Sequence, residues 1–155
     1  MFMHKVLKNS FVRATGLICA LALAGCAGIK PGESPSSQFT VPLTVKQTYD
    51  RAMAQTQYCL VTNDNFPVKA DITADGQQAQ IEVLMTFTSE VMARVDMQAL
   101  SANSTRVDVQ MWGENVWNQS AVDAMQAAIQ FGVPSCTNYF PGPETSNQTI
   151  IKRRR

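Results

Sequence analysis

The sequence predicts an α+β fold: a helix, a four-stranded antiparallel meander and a second helix, with both helices packed on one face of the sheet. Three observations predict it. Two segments, near residues 44–60 and 116–131, repeat apolar residues at helical spacing. Between them lie four runs in which apolar and polar residues alternate. The turn signals Asp75-Gly76 and Ser101-Ala102-Asn103-Ser104 separate runs at hairpin spacing.

Taken in order, the domain opens near Phe39. "FTVPL" reads as a short strand that Pro42 confines to a sheet edge. Thr44 is placed to cap a helix reaching about Leu60. Val45, Thr48, Tyr49, Ala52, Met53, Thr56, Cys59 and Leu60 share one face of it, while Lys46, Asp50, Arg51 and Gln57 fall elsewhere. "TNDNFP" stops the helix. Val68, Ala70 and Ile72 then alternate with polar residues. Ile81, Val83, Met85 and Phe87 mark the next strand, and Val91, Ala93, Val95, Met97 and Ala99 the third. Val107, Val109 and Met111 mark the fourth. Such alternation indicates an antiparallel sheet with one covered face. Glu82, Arg94, Asp96, Arg106 and Asp108 fall on the other face, where they can pair across strands. By strict alternation Leu84, Met92, Leu100 and Trp112 fall there too. They read either as an exposed apolar interaction surface or as residues covered by the tail or a loop. The last helix is expected from Val116 to Phe131, with Trp117, Ala121, Ala124, Met125 and Ala128 as its apolar stripe. Ser120 and Asp123 are spaced for a capping box. Gly132 and Pro134 end the helix, and Cys136 follows.

The ends of the chain carry a different signal. Met1–Arg13 holds Lys5, Lys8 and Arg13 and no acid; Ala14–Gly25 is apolar or small. That run is shorter than the about 20 apolar residues a membrane-spanning helix needs, and fits a secretory signal. It ends Leu23-Ala24-Gly25-Cys26, which resembles the lipobox of bacterial lipoproteins. The resemblance implies that residues 1–25 are removed and that Cys26 receives acyl chains on its sulfur and its new amine. Cys26 is then the lipid-attachment residue and the membrane the first partner. Stable anchoring needs more than one chain, which a triacylated cysteine supplies. Ala27 stands where an aspartate commonly retains such proteins in the inner membrane. The resemblance therefore implies the outer membrane, with the domain facing the periplasm or, alternatively, the cell surface. Residues 26–38 read as the lipidated cysteine and a flexible tether, with a root-mean-square reach of about 20 Å. Residues 39–140 form the single domain, and residues 141–155 a mobile tail with a basic end.

Removal of residues 1–25 leaves 130 residues, enough for one small domain. It also takes three of the 13 Lys and Arg and none of the 12 Asp and Glu, giving a net charge of −2. Four of the ten remaining cations are Lys152, Arg153, Arg154 and Arg155, so the body stands at −6. An acidic body disfavours nucleic acid as a partner. The basic end is either an anion-binding tail, directed at lipopolysaccharide or peptidoglycan, or a solvated terminus. Cys19 leaves with the signal, and Cys59 and Cys136 remain. In an oxidising periplasm they read as a disulfide closing a loop of about 78 residues, worth roughly 4.5 kcal/mol in the chain-entropy model. The alternatives are free thiols or a metal pair. If the helices run roughly parallel, their C-terminal ends bring Cys59 near Cys136, and the bond staples them across the sheet.

With the lipobox, short tether and helix–meander–helix order in place, the chain resembles small proteobacterial outer-membrane lipoproteins with a helix-grip domain of the BamC type. The resemblance spans Phe39 to Cys136 and implies an accessory role in outer-membrane assembly. The Cys59–Cys136 pair departs from that family.

Nothing in the sequence assembles a catalytic centre. The single histidine, His4, lies in the signal, so no Ser-His or Cys-His pair is available to the remaining chain. Asp71, Asp75, Glu82, Asp96 and Asp108 supply carboxylates, but on turns or the solvent face. There is no glycine-rich phosphate loop and no zinc or calcium spacing, and no cofactor or metal is expected. The Asn-x-Ser/Thr matches at Asn103, Asn118 and Asn147 are common by chance. The expectation is a non-catalytic, lipid-anchored envelope protein acting by protein–protein contact. The alternatives are a cell-wall or lipopolysaccharide binding module and a periplasmic enzyme inhibitor.

Overall fold

A computed structural model describes residues 28–61 and 66–136. The signal segment, Cys26, Tyr139, Phe140 and the 141–155 tail with Lys152–Arg155 lie outside the described residues. Strand β1 (Ser36–Val41) leads into helix α1 (Val45–Gln55), which continues as a π-helical turn, Thr56–Leu60. Strands β2 (Val68–Ile72), β3 (Gln78–Leu84), β4 (Val91–Ser101) and β5 (Ser104–Met111) follow, then helix α2 (Gln119–Phe131). The strands form one antiparallel sheet in the order β1-β5-β4-β3-β2. Among the described residues no helix is long and apolar enough to cross a membrane.

The class is α+β, but the sheet has five strands rather than four. The meander is β2 to β5; the fifth strand is β1, which begins at Ser36 and pairs with β5 from Ser36↔Gln110 to Val41↔Thr105. Its composition suggested a linker, yet an edge strand with one solvated face needs few apolar side chains, here Phe39 and Val41. The chain is docked even earlier than β1. The Ile29 N–H donates to the Val91 carbonyl (3.1 Å), and the Pro35 carbonyl accepts from the Met111 N–H (3.0 Å). Gly28 has φ +106°, and a Cβ there would stand 3.2 Å from the Val91 oxygen. Glycine is therefore required by close approach as well as by conformation.

The core lies between the sheet and the two helices. Three cross-strand rows face inward: Ala79, Met97 and Val107; Ile81, Val95 and Val109; Val83, Ala93 and Met111. All nine residues are buried. α1 covers β3 and β4, α2 covers β1 and β5, and the helices touch each other. They contribute Val45 and Ala52 from α1 and Ala121, Val122, Met125 and Ile129 from α2.

Each helix begins where a side chain can satisfy its first amides. Thr44 and Gln47 form a capping box: Thr44 Oγ1 accepts from the Gln47 N–H (3.2 Å) and Gln47 Oε1 from the Thr44 N–H (3.1 Å). α2 starts at Gln119, later than the expected Val116, because Asn118 supplies its cap by accepting from the Ser120 N–H (2.9 Å). Asp123 accepts from Gln119 Nε2 instead of closing a box with Ser120. Trp117 precedes the helix, buried and edge-on to Phe66 with ring centroids 5.6 Å apart.

A seam joins the end of α2 to α1. Arg51 Nη1 donates to the carbonyls of Ile129 (2.8 Å) and Gln130 (3.0 Å), capping the helix end with positive charge. Gln55, 1 % exposed, donates to the Ser135 carbonyl (2.9 Å) and accepts from its N–H (2.8 Å). Cys59 is bonded to Cys136, with their Cα atoms 5.2 Å apart. The expected staple is thus present. It is formed by residues 132–136 running beside the second half of α1, not by two helix ends meeting. Gln55→Ala removes both hydrogen bonds to Ser135, each worth about 0.5–1.5 kcal/mol, and should cost about 1–3 kcal/mol in denaturant unfolding. Cys136→Ser should cost about 2–5 kcal/mol in the same measurement.

Candidate interaction face

The apolar cluster expected on the open face of the sheet does not form there. Leu84 and Met92 are buried, at 5 % and 2 % exposure. Trp112 is half-buried and packed against the core. Leu100 alone stays exposed, at 48 %. The cause is a β-bulge. Val83 pairs with Ala93, but Leu84 pairs with Val91, so Met92 is an extra residue in β4. An inserted residue breaks strict alternation, and Met92 and Ala93 are both buried in sequence. The N-terminal segment then passes over this end of the sheet, where Ser34 Oγ donates to the Trp112 carbonyl (3.1 Å). These four residues therefore do not form one exposed apolar cluster.

What the open face presents instead is polar and ordered. Strand register places Asp71, Gln80, Asp96, Asp108 and Gln38 in one row across all five strands. Gln80 Nε2 donates to Asp96 Oδ1 (2.6 Å), and Gln38 Nε2 donates to Asp108 Oδ1 (2.5 Å). The adjoining row carries Lys69, Glu82, Arg94 and Gln110. Arg94 there donates to Glu82 from Nε (3.0 Å) and Nη2, the cross-strand pairing expected of this face. Asp96 and Asp108 stand directly opposite each other, an arrangement of like charges that costs stability. A shallow depression of about 420 Å³ lies over this row, lined chiefly by Asp71, Gln80, Asp96, Gln98 and Asp108.

Comparison with protein-family models and with curated proteins finds no match for this chain.

The alternation of β2, β4 and β5 carried the acidic part of the row, Asp71, Asp96 and Asp108, in plain view. Gln38 was hidden because its segment read as tether, and Gln80 because a lone strand glutamine carries no signal of its own. No cluster of three or more His, Cys, Asp or Glu able to hold a metal occurs among the described residues. At the rim of the depression the β2–β3 turn is closed by Asp75. Its Oδ1 accepts from the Thr73 hydroxyl (2.6 Å) and from the Gln77 N–H (3.0 Å). Those bonds, Thr73 first, favour the charged form and hold the Asp75 carboxyl below its ordinary value.

Two measurements check this description. Met92→Ala should cost about 2–5 kcal/mol of unfolding free energy, as a buried methionine does, where an exposed residue would change it by no more than about 0.5 kcal/mol. A lowered carboxyl contributes stability above its unfolded pKa and loses it as pH falls through the folded value. The stability difference between the parent and Asp75→Asn should therefore be largest near neutral pH. It should close as unfolding is repeated at successively lower pH through the carboxylate range.

Proposed function

We propose that the chain is a non-catalytic, lipid-anchored envelope protein that acts by protein contact through the open face of its sheet. The row Asp71-Gln80-Asp96-Asp108-Gln38 supports this reading. The fold gains nothing from setting Asp96 against Asp108, and a cationic or amide-bearing partner surface would relieve that repulsion. Amides flanking the carboxylates suit hydrogen bonding to a polypeptide. With four carboxylates against three cations, the face is a poor host for lipopolysaccharide phosphate. Acylation of Cys26, the outer-membrane location and a place beside the assembly machinery rest on the lipobox and on the resemblance to BamC-type lipoproteins.

A photo-crosslinking residue at Gln98, introduced in cells, should yield a discrete envelope-protein adduct. The adduct should be lost in Asp96→Lys/Asp108→Lys and in Cys26→Ser, which removes the anchor. Asp108→Asn separates contact from folding: it should weaken capture while leaving stability unchanged or raising it by a few tenths of a kcal/mol. No adduct from Gln98, or one indifferent to both charge reversals, would remove this face from the function.

A further inference from the structure

We propose that the end of the sheet carrying the 85–90 turn is a second membrane contact, with Phe87 inserted into the lipid interface beside the acylated Cys26. The proposal rests on the lipid-anchor reading and adds an orientation to it. Covalent geometry supplies the first step. Only Ala27 separates Cys26 from Gly28, and two residues span at most about 7 Å. Gly28 is not free to swing: a Cβ there would press on Glu90 and Val91, and the next residue is hydrogen-bonded to Val91. An acyl group on Cys26 therefore draws this end of β4 to the bilayer.

That end is built to meet it. Phe87 is 95 % exposed, the most exposed large apolar side chain among the described residues. Partly buried Met85, Val91 and Trp112 lie at the same strand ends, and Ile29 is hydrogen-bonded to Val91 there. The turns at the opposite end, Thr73–Gln78 and Ser101–Ser104, contain no large apolar residue. The 85–90 turn is held in one shape. The Met85 N–H donates to the Glu90 carbonyl (2.8 Å), the Ser89 N–H to the Met85 carbonyl (3.1 Å), and the Thr88 hydroxyl to Glu90 Oε2 (2.9 Å). Ser89 adopts φ +59°, a strained value for a residue with a side chain. Presenting Phe87 on a fixed turn lowers the ordering cost of burying it.

The nearby charges Lys30, Glu33, Glu90 and Glu114 do not sum to a basic patch, so electrostatic attraction to anionic lipid is not the driving force. The contact is apolar, of the kind aromatic side chains make at headgroup level. One such side chain binds weakly alone. Tethered within a few ångströms of the bilayer, its binding becomes intramolecular and a weak contact suffices.

The test uses the full chain, isolated from the envelope in its processed form and reconstituted into phosphatidylcholine vesicles whose acyl chains are brominated. Phe87→Cys and Ala102→Cys each receive a polarity-sensitive fluorophore; Ala102 lies in the exposed far turn. The fluorophore at 87 should shift to the blue and be quenched several-fold more than the one at 102. The unsubstituted chain, with Cys59 and Cys136 bonded, controls for labelling elsewhere. The mass of the N-terminal peptide is read on the same preparation. Acylated Cys26 with equal, water-like emission at 87 and 102 overturns the second contact and leaves the anchor standing. An unacylated Cys26 overturns the anchor, and the proposal with it.

Discussion

The sheet has one apolar face, and everything else depends on keeping two short helices against it. α1 and α2 bury their stripes there, but neither is long enough to be stable alone. The seam Arg51–Gln55–Cys59 holds them, by three interactions of different kinds. Arg51 neutralises the carbonyl end of α2, Gln55 bonds both the N–H and the carbonyl of Ser135, and Cys59 adds a covalent link. The residues are four apart, and in an α-helix such a stripe drifts by about 40° per step. The π turn at Thr56–Leu60 corrects the drift, since a helix with i→i+5 bonds takes more residues per turn. Its onset has a local cause. The Thr56 hydroxyl donates back to the Ala52 carbonyl (2.9 Å), and the Thr56 N–H is shared between the carbonyls of Ala52 and Met53. Cys59 reaches Cys136 from within this wider turn, which begins at Thr56.

A single inserted residue decides what the other face looks like. Had β4 kept strict alternation past Ala93, Met92 would stand in solvent beside Leu84 and Trp112, and the molecule would carry an apolar patch. The bulge turns Met92 inward and leaves the row of carboxylates and amides as the face's main chemistry. Bulges commonly re-aim side chains in this way near functional surfaces. Here the result is a face whose cost is electrostatic. Asp96 and Asp108 repel each other across β4 and β5, and the glutamine amides soften it. Exposed apolar surface would instead have invited non-specific association.

The elements legible in the sequence are those whose signals are local. Thr44 announces a cap with its own hydroxyl, Asp75-Gly76 a turn with its own conformational preference, and the strand runs β3 and β5 a face by their period. The pairing of Cys59 with Cys136 was legible once the resemblance to a lipobox set Cys26 apart. What stayed hidden depends on partners far along the chain. Ser36 and Gln38 look like linker until β5 supplies hydrogen bonds for their backbone. Gln55 looks like a surface residue on α1 until Ser135, eighty positions later, arrives to use both ends of its amide. Met92 looks solvent-facing because register shifts are set by how two strands meet, not by either strand's composition. The acidic row was half legible: its carboxylates follow from alternation, but their alignment across five strands requires the register.

Gly28 changes the most consequential of the early readings. In a Gly-, Pro- and Ser-rich segment a glycine suggests slack, and a slack tether of a dozen residues would let the domain tumble within about 20 Å of its membrane. The same glycine instead permits a left-handed backbone pressed against Val91, and Lys30–Ser34 closes on itself through the Lys30 carbonyl. A lipid on Cys26 is then less a leash than a mount. Under the proposed anchoring, the strand ends at Val91 would point to the bilayer, and the open face of the sheet would look sideways along the membrane. A face held that way would meet the proposed envelope partner without waiting for rotational diffusion to present it, and weak polar contacts would gain from the fixed geometry. Anchor, docking glycine and polar row thus fit one arrangement, in which the fold's contribution to recognition is orientation as much as contact.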